Sequence, residues 1–164
     1  MSNGVPIGGP LGLEIPVVEF RAINRTDATL TVGDVLMIDM GGTAGEVSGT
    51  DNTVAGASDA GLSNVVAPTD NLAVGVGILC VALEATTDNS TGRFLLQGRT
   101  TAKTSEAINN LGAALTVDNS STALSDTGGV NQGFFAYALE ETSGAGTAQV
   151  LFNGFGWGNQ ASSD

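Results

Sequence analysis

The sequence predicts an all-β protein: a small barrel or sandwich built from two repeated strand–loop–hairpin units, with an extended N-terminal arm. Three observations carry this expectation. Only 13% of the 164 residues are charged, against 41% hydrophobic, so charged helix formers are scarce while Thr, Val and Gly abound. Short apolar runs alternate with clusters of Gly, Asn, Asp and Ser. A segment from the middle of the chain also recurs, without a gap, near the C-terminus.

In chain order, residues 1–16 are rich in Gly and Pro and contain Val5, Ile7, Leu11, Leu13 and Ile15. Proline and glycine exclude a helix there, and the segment lacks evident strand partners. Two readings stand: a frayed terminus, or an arm that lays its apolar side chains on a neighbouring subunit. A single β domain is expected over 17–157, followed by a flexible tail at 158–164. The first strand is Val17–Ile23, and the next is Thr29–Asp39, interrupted by a turn near Gly33. A long loop follows from Gly41 to about Asp70, exceeding ordinary connections. Leu72–Ala85 and Arg93–Gly98 then form a hairpin around the turn Thr87–Gly92. One helical turn is expected around Ser105–Asn110, capped by Ser105.

The repeat aligns Val81–Thr86 with Tyr137–Thr142 and, at the same spacing, Thr91–Gly98 with Thr147–Gly154. Upstream, Thr31–Asp39 aligns with Asn110–Asp118 after an insertion that coincides with the Gly41–Asp70 loop. The units therefore run over about 29–98 and 110–154. Two such units are expected to pair about a pseudo-twofold axis into one closed barrel or sandwich, hiding edges that would otherwise aggregate.

The residue inventory excludes several chemistries. With no histidine and one cysteine, the chain offers no His-based triad, no Cys-rich zinc site and no intrachain disulfide. Cys80 lies in the apolar run Gly77–Leu83 and reads as a buried hydrophobe. Gly41–Glu46 is glycine-rich but lacks the Lys-Ser/Thr of a phosphate loop. Glu84 and Glu140 occupy equivalent positions in the repeat and could face one another across the pseudo-axis, as the acid and base of a glycosidase must. An aromatic content of 5% argues against a sugar site, and solvated strand-end residues are the simpler account. The Asp51-Asn52 and Asp88-Asn89 loops hold oxygen ligands but match no calcium-site pattern. The expectation is a protein that is not an enzyme and carries no cofactor.

A formal net charge of −12 opposes binding to phosphate backbones or anionic membranes, so neither nucleic acid nor membrane is an expected partner. Met1–Pro6 lacks the basic start of a signal peptide, and no stretch approaches the ~18 apolar residues of a membrane span. Synthesis in a cytoplasm is expected. The five cations fall in two windows, Arg21/Arg25 and Arg93/Arg99/Lys103. They are either scattered solvated charges or a patch that meets an acidic partner.

The Gly33-Asp34-Val35-Leu36 strand, the Gly75-Val76-Gly77 and Val81–Thr86 segments, and Ala136–Gly154 resemble the small capsid cement or decoration proteins of tailed bacteriophages. The resemblance covers roughly 28–39 and 72–156; the first-unit insertion and the Gly/Pro-rich arm depart from it. It implies a β-rich virion protein on the outer capsid surface that staples neighbouring major capsid proteins, often as a homotrimer. On that reading the capsid-contact candidates are Val5, Ile7, Leu11, Leu13 and Ile15 of the arm, together with Arg21, Arg25, Arg93, Arg99 and Lys103. Multivalent contact with a repeating lattice lets weak individual interfaces suffice. The alternative is a carbohydrate- or receptor-binding module of a phage fibre or surface layer.

Overall fold

A computed structural model describes residues 5–7, 13–39, 63–68, 78–117, 121–126 and 133–156. The described residues are all-β, with no helix among them. Two short strands, β1 (Val5–Ile7) and β2 (Leu13–Ile15), pair antiparallel with each other, Val5 opposite Ile15 and Ile7 opposite Leu13. The segment expected as one extended arm without strand partners is thus folded back on itself. The residues between the two strands are rich in Gly and Pro, which suits a reversal of the chain. Leu11 lies outside the described residues.

The remaining strands form one continuous sheet system: β3 (Val18–Asn24), β4 (Val35–Asp39), β5 (Ser63–Val66), β6 (Leu79–Ala82), β7 (Thr91–Thr104), β8 (Ala114–Val117), β9 (Leu124–Ser125), β10 (Ala136–Ala138) and β11 (Gly146–Asn153). Its pairings close two rings. One runs β7–β3–β5–β4–β6 and back to β7; the other runs β7–β11–β10–β8–β9 and back to β7. The 14-residue β7 belongs to both. Its first half is the last strand of the first ring, and its second half is the first strand of the other.

The duplication is visible pair by pair in the hydrogen-bonded register. Leu36 opposite Cys80 on β4/β6 corresponds to Leu115 opposite Ala136 on β8/β10. Ala82 opposite Phe94 corresponds to Ala138 opposite Val150, and Ala22 opposite Gly92 to Ala102 opposite Ala148. Ile38 opposite Val65 corresponds to Val117 opposite Leu124. The two parallel pairings match as well, Asn24 beside Val65 and Thr104 beside Leu124. Both turns carry a glycine with positive φ, Gly33 at 90° and Gly112 at 77°. The amide of Gly33 donates to Ala82 O and that of Gly112 to Ala138 O.

The all-β fold built from two repeated units is as expected, and four details of it are corrected here. The two units do not join as halves of one barrel; each closes its own ring, and they share a strand. Each unit also begins further upstream than the sequence alignment reached, because β3 opens the first and the second half of β7 opens the second. The helical turn around Ser105–Asn110 does not form. Strand β7 runs on to Thr104, and Ile108 makes an isolated antiparallel bridge with Thr142, as Leu30 does with Thr86. A single turn carries the full cost of helix nucleation, whereas burying Ile108 in the second ring is favourable. The segment expected as one long loop contains β5, whose Val65 and Val66 are buried.

The cores follow the same correspondence. Ala22, Leu30, Leu36, Val65, Cys80, Ala82 and Phe94 fill the first ring. Their counterparts Ala102, Ile108, Leu115, Leu124, Ala136, Ala138 and Val150 lie in the second cluster. That cluster also contains Val35, Leu79, Val81 and Leu95 from the alternate positions of β4, β6 and β7. The side of these first-ring strands that faces away from their own interior is therefore packed against the second unit.

Backbone bonds join the units across the same seam. Val35 N donates to Thr122 O (2.8 Å), Leu79 N to Gly154 O (2.9 Å), and Lys103 N to Gly33 O (2.8 Å). Gly154 must be glycine, because a Cβ there would lie 2.0 Å from the Leu79 carbonyl oxygen.

Candidate interaction surface

The sheet regroups the five cations. Arg21 on β3 and Arg93 on β7 stand directly opposite each other in the antiparallel register, and both are exposed. Arg25 follows β3, and its Nη1 donates to Asn89 Oδ1 in the turn that precedes β7. Arg99 lies on the second half of β7, where its Nε donates to Gln149 Oε1 at 3.4 Å. Lys103, four residues further on, is turned inward, with Nζ 2.6 Å from Asp34 Oδ1. The two sequence windows are therefore not two patches: Arg93 belongs with Arg21, and Lys103 is an internal clamp between the units.

Asp34 is buried at the Gly33 turn, and its Oδ2 also accepts from Thr31 N at 2.7 Å. Burial opposes its charge, but the Lys103 ammonium and the Thr31 donors outweigh it and hold the carboxyl below its ordinary value. The opposite case is Asp126. Desolvation, reinforced by the neighbouring Glu106 carboxylate, raises it above its ordinary value. Glu106 Oε1 accepts from Ser125 Oγ and, at 3.0 Å, from Asp126 N.

Glu84 and Glu140 perform the same local task in each unit. Glu84 Oε1 accepts from Arg93 N at 3.1 Å, and Glu140 Oε1 accepts from Gln149 N at 2.8 Å. Each carboxylate thus braces the hairpin that follows it. In the Asp88-Asn89 turn, Asp88 accepts from the amide of Asp27 and from Asn89 Nδ2, and Asn89 adopts φ of 59°. These oxygens are taken up by turn hydrogen bonds, and the described residues contain no cluster of three or more metal-ligating side chains. Asp51 and Asn52 lie outside the described residues. Cys80 is fully buried, and desolvation pushes its thiol well above its ordinary value. No helix among the described residues is long and apolar enough to cross a membrane.

The arm candidates Val5, Ile7, Leu13 and Ile15 are placed by backbone pairing alone, in the β1–β2 hairpin. Its exit lies against Gly98, between the halves of β7, where φ is 135°. A Cβ on Gly98 would lie 3.3 Å from Val17 Cγ2, so the chain enters the domain in close contact with the middle of the shared strand.

Sequence reasoning missed an apolar feature of the surface. Val32 and Leu111, each immediately before its turn glycine, are 52% and 65% exposed, and Phe155 beyond β11 is 62% exposed. The signal was present in the repeat, since both copies place an aliphatic residue at the tip of a turn that ordinarily favours polar ones.

No family model matches this sequence, and no curated protein does. Among solved structures, the chain is similar to the N base of the head fiber gp8.5 of bacteriophage phi29. The TM-score is 0.53 at 12% sequence identity, over 87% of this chain and 99% of that one. The likeness is one of fold, and it extends over both units.

Proposed function

We propose that this chain is a structural protein of a phage virion, seated on the outer surface of the head and binding the major capsid protein. The observation that carries the reading is the whole-chain likeness to the N base of a phage head fiber. The sequence resemblance to capsid decoration proteins supports the same location by an independent route. Nothing in this reading asks for catalysis: contact with a lattice of identical sites supplies avidity, and each contact need only be modest. A homotrimer is the assembly proposed, one copy contacting each of several neighbouring shell subunits. The exposed turn-tip residues Val32 and Leu111 join the β1–β2 hairpin and the exposed arginines as contact elements.

The test is to mix the purified protein with expanded, undecorated capsids and image them by electron cryomicroscopy. Density at regular lattice positions is the expected result, and bare shells at saturating protein would overturn it. The neighbour's description as the base of a fiber favours a second reading, in which the same seat on the head supports an appendage. The same maps distinguish the two: a decoration protein contacts several shell subunits broadly, whereas a fiber base stands on a narrow foot.

A further inference from the structure

The duplication supplies an internal comparison for the exposed arginines. The positions of Arg21 and Arg93 in the first unit correspond to Thr101 and Gln149 in the second. There the pair is neutral and self-satisfied: Gln149 Nε2 donates to Thr101 Oγ1, and Gln149 Oε1 accepts from Arg99. The first unit instead places two guanidinium groups directly across an antiparallel pair, an arrangement that repulsion disfavours. This happens in a chain with only five cations and a net charge of −12.

Of those five, Lys103 is committed to Asp34, Arg25 donates to Asn89 and Arg99 to Gln149. Arg93 has one long ion pair, 3.9 Å to the half-buried Glu84. Arg21 has no hydrogen-bond or ion-pair partner among the described residues. The same fold in the same chain thus shows this position filled by a neutral pair hydrogen-bonded to each other, and the first unit does not use that solution.

Building on the virion reading, we propose that the Arg21–Arg93 pair is a docking site for a short carboxylate-bearing segment of the shell protein. Two guanidinium forks on neighbouring strands suit bidentate carboxylates, one or two at a time. The surroundings restrict the partner. Glu19, two residues before Arg21 on β3, is exposed, and Glu84 flanks Arg93. Together with the overall negative field they repel a long polyanion while leaving room for one or two acidic side chains on a compact protein surface.

The test uses the full chain and the double variant Arg21→Thr/Arg93→Gln, which installs the residues the second unit already carries. Binding to undecorated shells is measured across a salt series. In parallel, the wild-type arginine Nε–Hε resonances are followed while a tetraglutamate peptide, a tetraglutamine peptide or inorganic phosphate is added. The expected results are at least a tenfold loss of shell affinity in the double variant, a shallower salt dependence, and shifts of Arg21 and Arg93 with tetraglutamate alone.

Unaltered shell binding by the variant, with arginine signals unmoved by tetraglutamate, overturns the proposal and leaves the virion reading standing. Shifts with tetraglutamate in a protein that ignores shells uphold the acidic docking site and overturn the virion reading. Equal shifts with phosphate overturn the preference for carboxylate. The peptide titration is made on the wild-type chain, so the outcome does not depend on the variant folding.

Discussion

Lys103 Nζ donates to Asp34 Oδ1 at 2.6 Å, joining the first strand of the second unit to the Gly33 turn of the first. The aspartate is buried, the lysine is half-buried, and the corresponding positions in the other half of the repeat are Ile23 and Ala113. The ion pair is therefore peculiar to the seam. Lys103→Met would leave Asp34 buried beside the Thr31 donors alone, at a cost of about 1–3 kcal/mol. Asp34→Asn would cost less, because the amide oxygen still accepts from Thr31. A urea titration of both variants and of the pair together yields the coupling.

The same pair sets a pH dependence with a definite sign. The folded-state pKa of Asp34 is depressed, so its contribution to stability is complete above the unfolded value, near 3.8, and is lost as pH falls through the lower folded value. Asp126 acts oppositely. Its folded pKa is raised, so its contribution is present below its unfolded value and is lost as pH rises through the raised one. Asp126→Asn is expected to raise the melting temperature at pH 7 and to change it little at pH 3. Thermal melts of wild type and variant at both values check this.

Buried polar positions separate the two units in another way. Asn24 Nδ2 donates to Ala28 O (2.7 Å) and Thr86 O (3.0 Å), while its Oδ1 accepts from Thr26, so one side chain ties β3 to the turn that follows and to the bridge at Leu30. Its counterpart Thr104 is buried with no partner for Oγ1. Asn24→Ala should cost about 1–2 kcal/mol, since the side chain's bonds to Ala28 O and Thr86 O are lost while Thr86 O keeps the Leu30 amide as a donor. Thr104→Val, which removes an unsatisfied hydroxyl at constant shape, should be neutral or stabilising by up to about 1 kcal/mol. Chemical denaturation of the two variants gives the comparison.

Glycine replacements test the geometry of the seam. Gly154→Ala places a Cβ against the Leu79 carbonyl and must separate β11 from β6, costing about 3 kcal/mol or more. Gly112→Ala meets no neighbour within 4 Å but strains a φ of 77°, a cost of about 1 kcal/mol. Gly144→Ala meets neither obstacle and should be neutral or slightly stabilising. Midpoints in urea should fall in that order, and an equal loss at Gly112 and Gly154 would contradict the contact at Leu79.

The legible part of the fold was the part repeated in residue identity. Leu83-Glu84 and Leu139-Glu140 mark equivalent strand ends, and the glutamate in each copy accepts from the amide of the hairpin that follows it. The correspondence of β3 with the second half of β7 was not legible. Phe20-Arg21-Ala22-Ile23 and Thr100-Thr101-Ala102-Lys103 share only Ala, the one inward position where a small side chain is needed. Strand β5 was hidden by the glycine- and serine-rich residues around it, and β7 by Gly98, which reads as a strand end but lies inside a longer strand. The Arg21–Arg93 relation needed the register, because those residues are far apart in sequence and meet only across the sheet.

Because β7 belongs to both rings and Val35, Leu79, Val81 and Leu95 of the first unit pack in the core of the second, unfolding either unit strips support from the other, and the two should unfold as one. Cys80 gives a probe of the first ring, since its thiol is fully buried and reacts only when that ring opens. The amide of Ala138, bonded to Ala113 O, gives a probe of the second. Measured in the same buffer, the opening free energies from thiol labelling at Cys80 and from hydrogen exchange at Ala138 should agree with each other and with the global value from denaturant titration. If the two rings were joined only as neighbours, the seam would break first, and the less stable ring would open on its own at a lower free energy. A gap of more than about 2 kcal/mol between the two probes, well beyond ordinary scatter against a typical domain stability, would show that the shared strand does not couple them.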